Sequence, residues 1–159
     1  MPYTYYQSPI GWLKISTYGR SLSGIAFLRS KPPKDSNQKM NVTLQKCVSE
    51  IDEYFQGQRT AFSLPVVSQG SDFQREVMRL VGEIPFGHTV SYSDVARQLG
   101  DVNAVRAVGS ANGRNKIPIV IPCHRVVDVS GELAGYAGGL WRKKWLIEFE
   151  TGEKQLDLF

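Results

Sequence analysis

A cysteine followed directly by a histidine, Cys123-His124, is the pair best suited to chemistry in this sequence. A free thiol is only a few per cent thiolate at neutral pH and the thiolate is the nucleophile, so a neighbouring imidazole that takes the thiol proton would activate it. Glu150 is a candidate carboxylate that would orient the imidazole. The same two residues could also be an inert core cysteine beside a surface histidine. The pair alone does not distinguish an activated nucleophile from this structural arrangement.

The pattern around this pair predicts a mainly helical second half of the chain. Ser91 with Asp94 has the spacing of a capping box, which predicts a helix that runs to residue 99. Gly100 ends that helix, and Asp101 is expected to cap a second one over 102–111, so the two form a helix-turn-helix. Apolar spacing predicts further helices over 73–81 and 141–150, and an apolar run at 117–121 leads into the cysteine.

The first half of the chain predicts a small sheet followed by a helix. Alternating β-prone residues around a Pro-Ile-Gly turn predict a hairpin. Apolar residues then recur at helical spacing, with Cys47 on the apolar stripe, where core packing is the better interpretation. The predicted elements are strands over 3–8, 12–17 and 22–28, a polar loop over 30–41, a helix over 44–55 and a short strand near 62–67.

Composition narrows the class of protein. The chain has 159 residues, 42% of them hydrophobic and 21% charged, which is typical of one or two globular domains and excludes a disordered or fibrous chain. It contains neither a signal-peptide pattern nor a long apolar run, so we expect no export and no membrane span. Its two cysteines are too few for a disulfide framework or a plausible metal site, which favours a reducing cytosol. The net charge of +4 permits a polyanionic partner without requiring one.

The hexapeptide Ile-Pro-Cys-His-Arg-Val at 121–126 resembles the active-site signature of the O6-alkylguanine-DNA alkyltransferases. The resemblance is strong over residues 70–152 and rests on architecture and length over the first 65. It implies an α/β fold with a ribonuclease-H-like N-terminal domain (1–68), a mainly helical C-terminal domain with a helix-turn-helix (69–152) and a tail (153–159). The agreeing positions are Ser91-Tyr92, Arg106 to Gly109, Asn115, Gly135 to Leu140 and Glu150.

That resemblance implies repair of duplex DNA by irreversible transfer of an alkyl group from O6 of guanine, or from O4 of thymine, with one reaction per molecule. Cys123 would accept the alkyl group, His124 would deprotonate it through a water, and Glu150 would orient His124. Asn115 would act as a hinge, and the Tyr92 phenol would donate a proton to the departing guanine. No metal, nucleotide or organic cofactor is implied. A non-catalytic lesion sensor of the same fold is the alternative, with a transcription regulator and a cysteine hydrolase ranked lower.

The resemblance also implies a DNA interface in the minor groove. Arg106 would enter the base stack as the target base flips out, and the small Ala107 would permit close approach of the helix. Arg114 would close the pocket or contact phosphate. Ala137 stands where some relatives carry a serine, so the resemblance does not imply the hydrogen bond that this serine would make near the alkylated oxygen. The residues expected in the pocket wall are Val126, Gly135, Tyr136, Ala137 and Gly138.

The last five residues resemble the short peptide by which bacterial DNA-processing proteins bind the replicative sliding clamp. Exposed apolar residues at a polar end of the chain would be buried in a small pocket of such a partner. The alternative is a tail that folds back onto its own domain. These expectations together describe a bacterial protein of the constitutive type, a monomer in the cytoplasm at the nucleoid. The peptide consists of Gln155, Leu156, Asp157, Leu158 and Phe159.

Overall fold

A three-stranded antiparallel sheet begins the chain in the computed structural model, which describes residues 1–33, 40–130 and 135–153. Its strands are β1 (Tyr3–Ser8), β2 (Gly11–Tyr18) and β3 (Ser21–Phe27), in the order β1-β2-β3. Pro9 and Ile10 make the turn between β1 and β2, and Gly11 has a φ of 105°, a conformation that favours glycine. The predicted hairpin and third strand are confirmed.

One face of this sheet carries the core of the first unit. Leu13, Ile15 and Thr17 of β2 are fully buried, whereas the residues between them are partly exposed. This alternation is expected of a sheet that is covered on one side. Helix α1 (Val42–Phe55) covers the buried face with its apolar stripe, and the side chain of Asn41 caps it by accepting a hydrogen bond from the Leu44 amide at 2.8 Å. Cys47 is fully buried on that stripe.

The predicted strand near residues 62–67 is wrong. Only a single parallel bridge forms there, between Val66 and Leu22. Pro65 accepts a hydrogen bond from the Leu22 amide at 2.9 Å but has no N–H to extend a ladder. The first unit comprises Met1–Val67 together with Lys116–Pro118, and Lys116 lies against the edge of β3, where its carbonyl accepts from the Ile25 amide at 2.9 Å.

The second unit, Ser68–Asn115 and the chain from Ile119 onward, is mainly helical as predicted. A short parallel pair joins β4 (Val90–Ser91) and β5 (Val126–Val127), with Val90 opposite Val126, although no sequence pattern predicted it. No helix in the described ranges is long and apolar enough to cross a membrane. The elements of this unit are α2 (Asp72–Gly82), β4 (Val90–Ser91), α3 (Tyr92–Gln98), α4 (Val105–Gly113), a 3₁₀ helix (Cys123–Arg125), β5 (Val126–Val127) and α5 (Leu140–Thr151).

Helices α3 and α4 form the predicted helix-turn-helix, with one correction. The capping box at the start of α3 is present, since the Asp94 amide donates to Ser91 Oγ and the Ser91 amide donates to Asp94 Oδ2, both at 2.9 Å. However, Asp101 does not cap α4, which begins only at Val105 and has no side-chain cap. Asp101 instead accepts from the Asn103 amide at 3.0 Å, because a short acidic side chain also closes a local turn of its own backbone.

Candidate active site

Cys123 lies at the start of a 3₁₀ helix that follows a buried, strained segment. Ile119 and Ile121 are buried, and Ile119 has a φ of 75°, an uncommon conformation for a β-branched residue. The Cys123 amide donates to the Ile121 carbonyl at 2.8 Å, and the Asn112 side chain donates to the Cys123 carbonyl at 3.1 Å. These two hydrogen bonds fix the backbone of Cys123. Backbone strain such as the positive φ of Ile119 is concentrated at functional sites.

The thiol of Cys123 is not activated by its surroundings at rest. Its side chain is buried, and this burial raises its pKa to about 11. A hydrogen bond with Asn115 and the charge of Lys143 lower the pKa of the thiol, but they do not outweigh the burial. The thiol is therefore protonated at neutral pH, and its use as a nucleophile requires a base to take the proton.

His124 and Glu150 form a buried pair beside this thiol. His124 Nε2 lies 2.8 Å from Glu150 Oε2, and His124 is fully buried. Burial lowers the pKa of His124, although Glu150 pulls it upward. Burial alone would raise the pKa of Glu150, but hydrogen bonds from His124 and Arg125 hold it at about 2. The imidazole is thus neutral, with its proton on Nε2 donated to an ionised carboxylate.

The other ring nitrogen of His124 is the free base of the site. Nδ1 is buried and has no hydrogen-bond partner among the residues that the structure describes. Since Nε2 carries the proton, the lone pair of Nδ1 is available to accept another one. His124 directly follows Cys123 in the chain. A buried nitrogen that could accept a proton is a candidate general base.

Arg125 is a residue of this site that the sequence did not reveal. It donates from Nε to Glu150 Oε1 at 2.7 Å and from Nη2 to Glu150 Oε2 at 2.9 Å. Its Nη1 donates to the Ile84 carbonyl at 2.6 Å. The arginine stands in the hexapeptide that carries the resemblance, yet an arginine two positions after a cysteine has no distinctive spacing. Only the fold brings α5 to it.

Asn115 connects the end of α4 to the cysteine segment. Its Oδ1 accepts from Gln69 Nε2 at 3.0 Å, and its Nδ2 donates to the Ile121 carbonyl at 2.9 Å. All three groups are buried, and Asn115 also hydrogen-bonds the thiol of Cys123. Gln69 lies in the short polar stretch Ser-Gln-Gly-Ser at 68–71, so nothing in its sequence pattern marked it as a partner of the site.

Tyr92 meets a buried lysine that sequence reasoning also missed. The Lys143 Nζ donates to the Tyr92 hydroxyl at 3.5 Å. Burial lowers the pKa of Lys143 to about 8 and raises the pKa of Tyr92. Both groups also interact electrostatically with Cys123. Lys143 belongs to an Arg-Lys-Lys run that looks like a solvated helix face, and only its complete burial distinguishes it from its neighbours.

The three residues expected at the DNA interface on or next to α4 are all exposed, whereas those expected in the pocket wall range from buried to exposed. Arg106 and Ala107 are exposed on α4, and Arg114 is exposed immediately after it. Val126, in contrast, is fully buried in β5. In the glycine-rich segment, Gly135 and Ala137 are exposed, Tyr136 is half-buried and Gly138 is buried.

This segment is held by a turn and an arginine. The Gly139 amide donates to the Tyr136 carbonyl at 2.9 Å, and Arg142 Nη1 donates to the Gly138 carbonyl at 2.8 Å. Burial raises the pKa of Tyr136 well above its ordinary value, and an electrostatic interaction with Cys123 raises it further. The segment is therefore close enough to the thiol to interact with it electrostatically. Gln155 to Phe159 lie outside the described residues, and no group of three or more His, Cys, Asp or Glu in the described ranges could hold a metal.

Comparison with known proteins decides the family. The family model described as "6-O-methylguanine DNA methyltransferase, DNA binding domain" matches residues 72–152. The family model described as "6-O-methylguanine DNA methyltransferase, ribonuclease-like domain" matches residues 1–67. The chain belongs to the 6-O-methylguanine DNA methyltransferase family. The expected resemblance and fold class are both confirmed.

Other members of this methyltransferase family align with nearly the whole chain. The methylated-DNA--protein-cysteine methyltransferase of Mycobacterium tuberculosis H37Rv is 39% identical over 153 residues, which are 95% of this chain and 93% of that protein. The protein of the same name from Methanosarcina barkeri is 38% identical over 156 residues, 94% of this chain and 97% of its own. The crystal structure of Mycobacterium tuberculosis OGT in complex with DNA superposes with a TM-score of 0.85 at 38% identity, and covers 96% of this chain and 94% of that one.

Proposed function

We propose that this methyltransferase repairs duplex DNA by moving an alkyl group from O6 of guanine onto Sγ of Cys123. The bond between sulfur and the alkyl carbon forms as the bond between O6 and that carbon breaks. The thiol proton goes to His124, and the guanine leaves with a proton from Tyr92. The observation that carries the proposal is the buried neutral imidazole of His124, hydrogen-bonded to ionised Glu150 and adjacent to a protonated thiol.

The first step is deprotonation of Cys123. With a thiol pKa of about 11, the thiolate is scarce at neutral pH. Nδ1 of His124 takes the proton through a bridging water, and the imidazolium that forms is stabilised by Glu150 through Nε2. Glu150 remains ionised throughout because its own pKa is about 2. Asn115 assists by its hydrogen bond to the sulfur, which lowers the pKa of the thiol.

The second step is neutralisation of the leaving guanine. Tyr92 donates its phenolic proton, and the phenolate then stands 3.5 Å from the ammonium of Lys143. Burial makes this ammonium unusually acidic, with a pKa of about 8, so it returns a proton to the phenolate readily. Lys143 therefore serves as the proton reserve for Tyr92, which complements the role of His124 on the thiol side.

Access to the base requires that it leave the duplex. We propose that α4 enters the minor groove, with Ala107 against the backbone and Arg106 filling the gap that the flipped base leaves. Support comes from the exposure of both side chains on α4. Arg114 closes the pocket or contacts phosphate. The pocket wall is assigned to Val126, Gly135, Tyr136, Ala137 and Gly138.

Each molecule acts once in this scheme, because a thioether has no ready hydrolytic exit. The test is an intact-mass measurement after incubation with a short duplex that contains one O6-methylguanine. We expect a stoichiometric gain of one methyl group that is abolished in Cys123→Ala and retained in Cys47→Ala, the matched control at the other cysteine. Tight lesion-selective binding without a mass gain would support the sensor alternative. A parallel duplex with O4-methylthymine decides whether thymine is also a substrate.

We further propose that the C-terminal peptide, residues 155–159, binds the replicative sliding clamp of bacteria, which would bring a monomeric repair protein to the nucleoid. The support is its sequence, with Leu158 and Phe159 as the apolar anchors. Surface plasmon resonance on immobilised bacterial clamp tests it. We expect Phe159→Ala to weaken binding at least tenfold, since truncating an anchor residue of an interface costs about 2 kcal/mol or more. Equal binding to the clamp by the unmodified protein and by Phe159→Ala would refute the assignment.

A further inference from the structure

The face of the N-terminal sheet opposite α1 combines aromatic and basic side chains. We call it the outer sheet face and define it by Tyr3, Tyr5, Trp12 and Lys14. The register places Tyr5 directly opposite Lys14, and Lys14 alternates with the buried residues of β2. All four side chains are partly exposed. Tyr6, which is next in β1, points the other way and donates to Asp52 of α1 at 2.7 Å.

The strands of this unit and residues 28–33 after β3 carry positive charge and no negative charge. Residues 1–33 contain four basic side chains and no acidic one. Lys14 Nζ lies 4.3 Å from the centre of the Tyr3 ring, and Tyr3 in turn packs edge-on against Tyr5 with ring centres 5.6 Å apart. The acidic residues of the unit that the structure describes are all on α1, which covers the opposite face.

A surface cleft continues the outer sheet face beyond the end of β3. It measures about 220 Å³ and is lined by Tyr5 and by residues 28–33. Arg29 and Lys31 are exposed in it, and Pro32 adds an apolar wall. Tyr5 thus belongs both to the sheet face and to the cleft. One continuous surface presents rings flanked by three cations.

We propose that the outer sheet face binds single-stranded DNA, with bases stacked on Tyr5 and Trp12 and phosphates near Lys14, Arg29 and Lys31. Rings on an open sheet with interspersed cations suit this ligand, because each base has a face to stack and each link carries a negative charge. A duplex hides the faces of its bases, and an acidic peptide would match the cations but leave the rings unused. The surface belongs to the first unit and shares no residue with the alkyl-transfer site, so the proposal does not depend on that chemistry.

The first experiment measures binding of the full chain to a fluorescent oligothymidine, which contains no guanine, by anisotropy at several salt concentrations. Each phosphate neutralised in single-stranded DNA adds about 0.7 to the slope of log affinity against log salt. The triple variant Lys14→Gln, Arg29→Gln, Lys31→Gln should therefore flatten the slope by about 2. An unchanged slope would overturn the proposal.

A matched control removes the same charge elsewhere. The variant Arg20→Gln, Lys46→Gln, Arg79→Gln replaces three exposed cations that lie outside the outer sheet face and the cleft. We expect it to keep the slope of the unmodified protein. If both triple variants lose the same slope, the attraction comes from net charge and the surface is not a site.

Stacking is tested at Tyr5 by two substitutions. Tyr5→Ala should weaken oligothymidine binding about fivefold or more, whereas Tyr5→Phe keeps the ring and should bind normally. Photocrosslinking with 5-iodouracil in the oligonucleotide gives the location directly, and we expect adducts on the peptides that contain Tyr5 or Trp12. Adducts confined to residues 68–153 would refute the site. Methyl transfer from an O6-methylguanine duplex is measured on the same variants, so a failure here is separable from a failure of alkyl transfer.

Discussion

Arg125 donates hydrogen bonds to both carboxylate oxygens of Glu150, at 2.7 Å to Oε1 and 2.9 Å to Oε2, while His124 donates to the same Oε2 at 2.8 Å. The carboxylate therefore serves two buried partners at once. The fork of the guanidinium fixes its orientation, and this leaves His124 with one defined ring position. Arg125 is accordingly a positioning residue for the base, acting through Glu150.

Replacing Arg125 by Met should destabilise the fold by about 3–5 kcal/mol, because it leaves a buried carboxylate with only one partner. Urea unfolding at pH 7 measures this loss. Arg125→Lys keeps the charge but not the fork, so we expect a smaller loss of stability and a slower transfer. If Arg125→Lys matches the unmodified protein in both stability and transfer rate, the bidentate geometry has no role.

The stability of the protein should fall in acid through Glu150. Its pKa is about 2 in the folded protein against an ordinary value of 4.5, so its contribution is complete above pH 4.5 and is lost as the pH falls toward 2. His124 adds to this loss, since its pKa is lowered in the fold and the unfolded chain takes up its proton first below about pH 6.5. Urea unfolding between pH 7 and pH 3 should show the decline, and it should be shallower in Glu150→Gln.

Glu150→Gln should also slow methyl transfer by about 10²-fold or more, because a neutral amide cannot stabilise the imidazolium that forms when His124 takes the thiol proton. Rapid-quench single-turnover kinetics measure the rate. In the unmodified protein the rate should hold from neutral pH downward and fall only below about pH 6.5, since burial lowers the pKa of His124. The variant loses the upward pull of the carboxylate, so its acid limb should lie lower still. An acid limb at higher pH in Glu150→Gln than in the unmodified protein would contradict this account.

Lys143→Met should stabilise the fold and impair the reaction. A buried lysine whose pKa falls from 10.5 to about 8 costs up to about 3 kcal/mol of stability below pH 8. The unfolded chain holds that proton up to about pH 10.5, so the stability of the unmodified protein rises with pH between 8 and 10.5 and the variant lacks this rise. Differential scanning calorimetry and single-turnover kinetics measure the two effects. The control is Lys144→Met at the adjacent, half-buried lysine. It should have little effect on either the stability of the fold or the rate of methyl transfer.

Asn115→Ala should raise the pKa of the Cys123 thiol, because Asn115 supplies a hydrogen bond that lowers it. The pH dependence of iodoacetamide reaction at Cys123, read by mass spectrometry of the peptide, measures this pKa. Cys47, whose pKa is also raised to about 11 by burial, is an internal reference in the same digest. An upward movement at Cys123 alone is expected. Parallel movement at both cysteines would indicate general loosening of the fold instead.

Local sequence determined the parts of this protein that depend on near neighbours. The spacing of Ser91 and Asp94 specified a capping box, and alternation in β2 specified which face is buried, because both depend on residues a few positions apart. The hexapeptide around Cys123 carried the family. Where a near neighbour competed, prediction was wrong: Asp101 closed its own turn instead of capping α4, and Pro65 left a single bridge where a strand was expected.

Tertiary structure alone decided how the site works. Lys143 and Lys144 are adjacent lysines that the sequence does not distinguish, but Lys143 is fully buried and Lys144 is only half-buried. The low pKa of Lys143 follows from its burial. The partnership of Arg125 with Glu150 joins residues 25 positions apart. A pKa depends on the charges and the solvent around a group in three dimensions, so the sequence named the cysteine, the histidine and the glutamate, and the packing of α5 decided their protonation states.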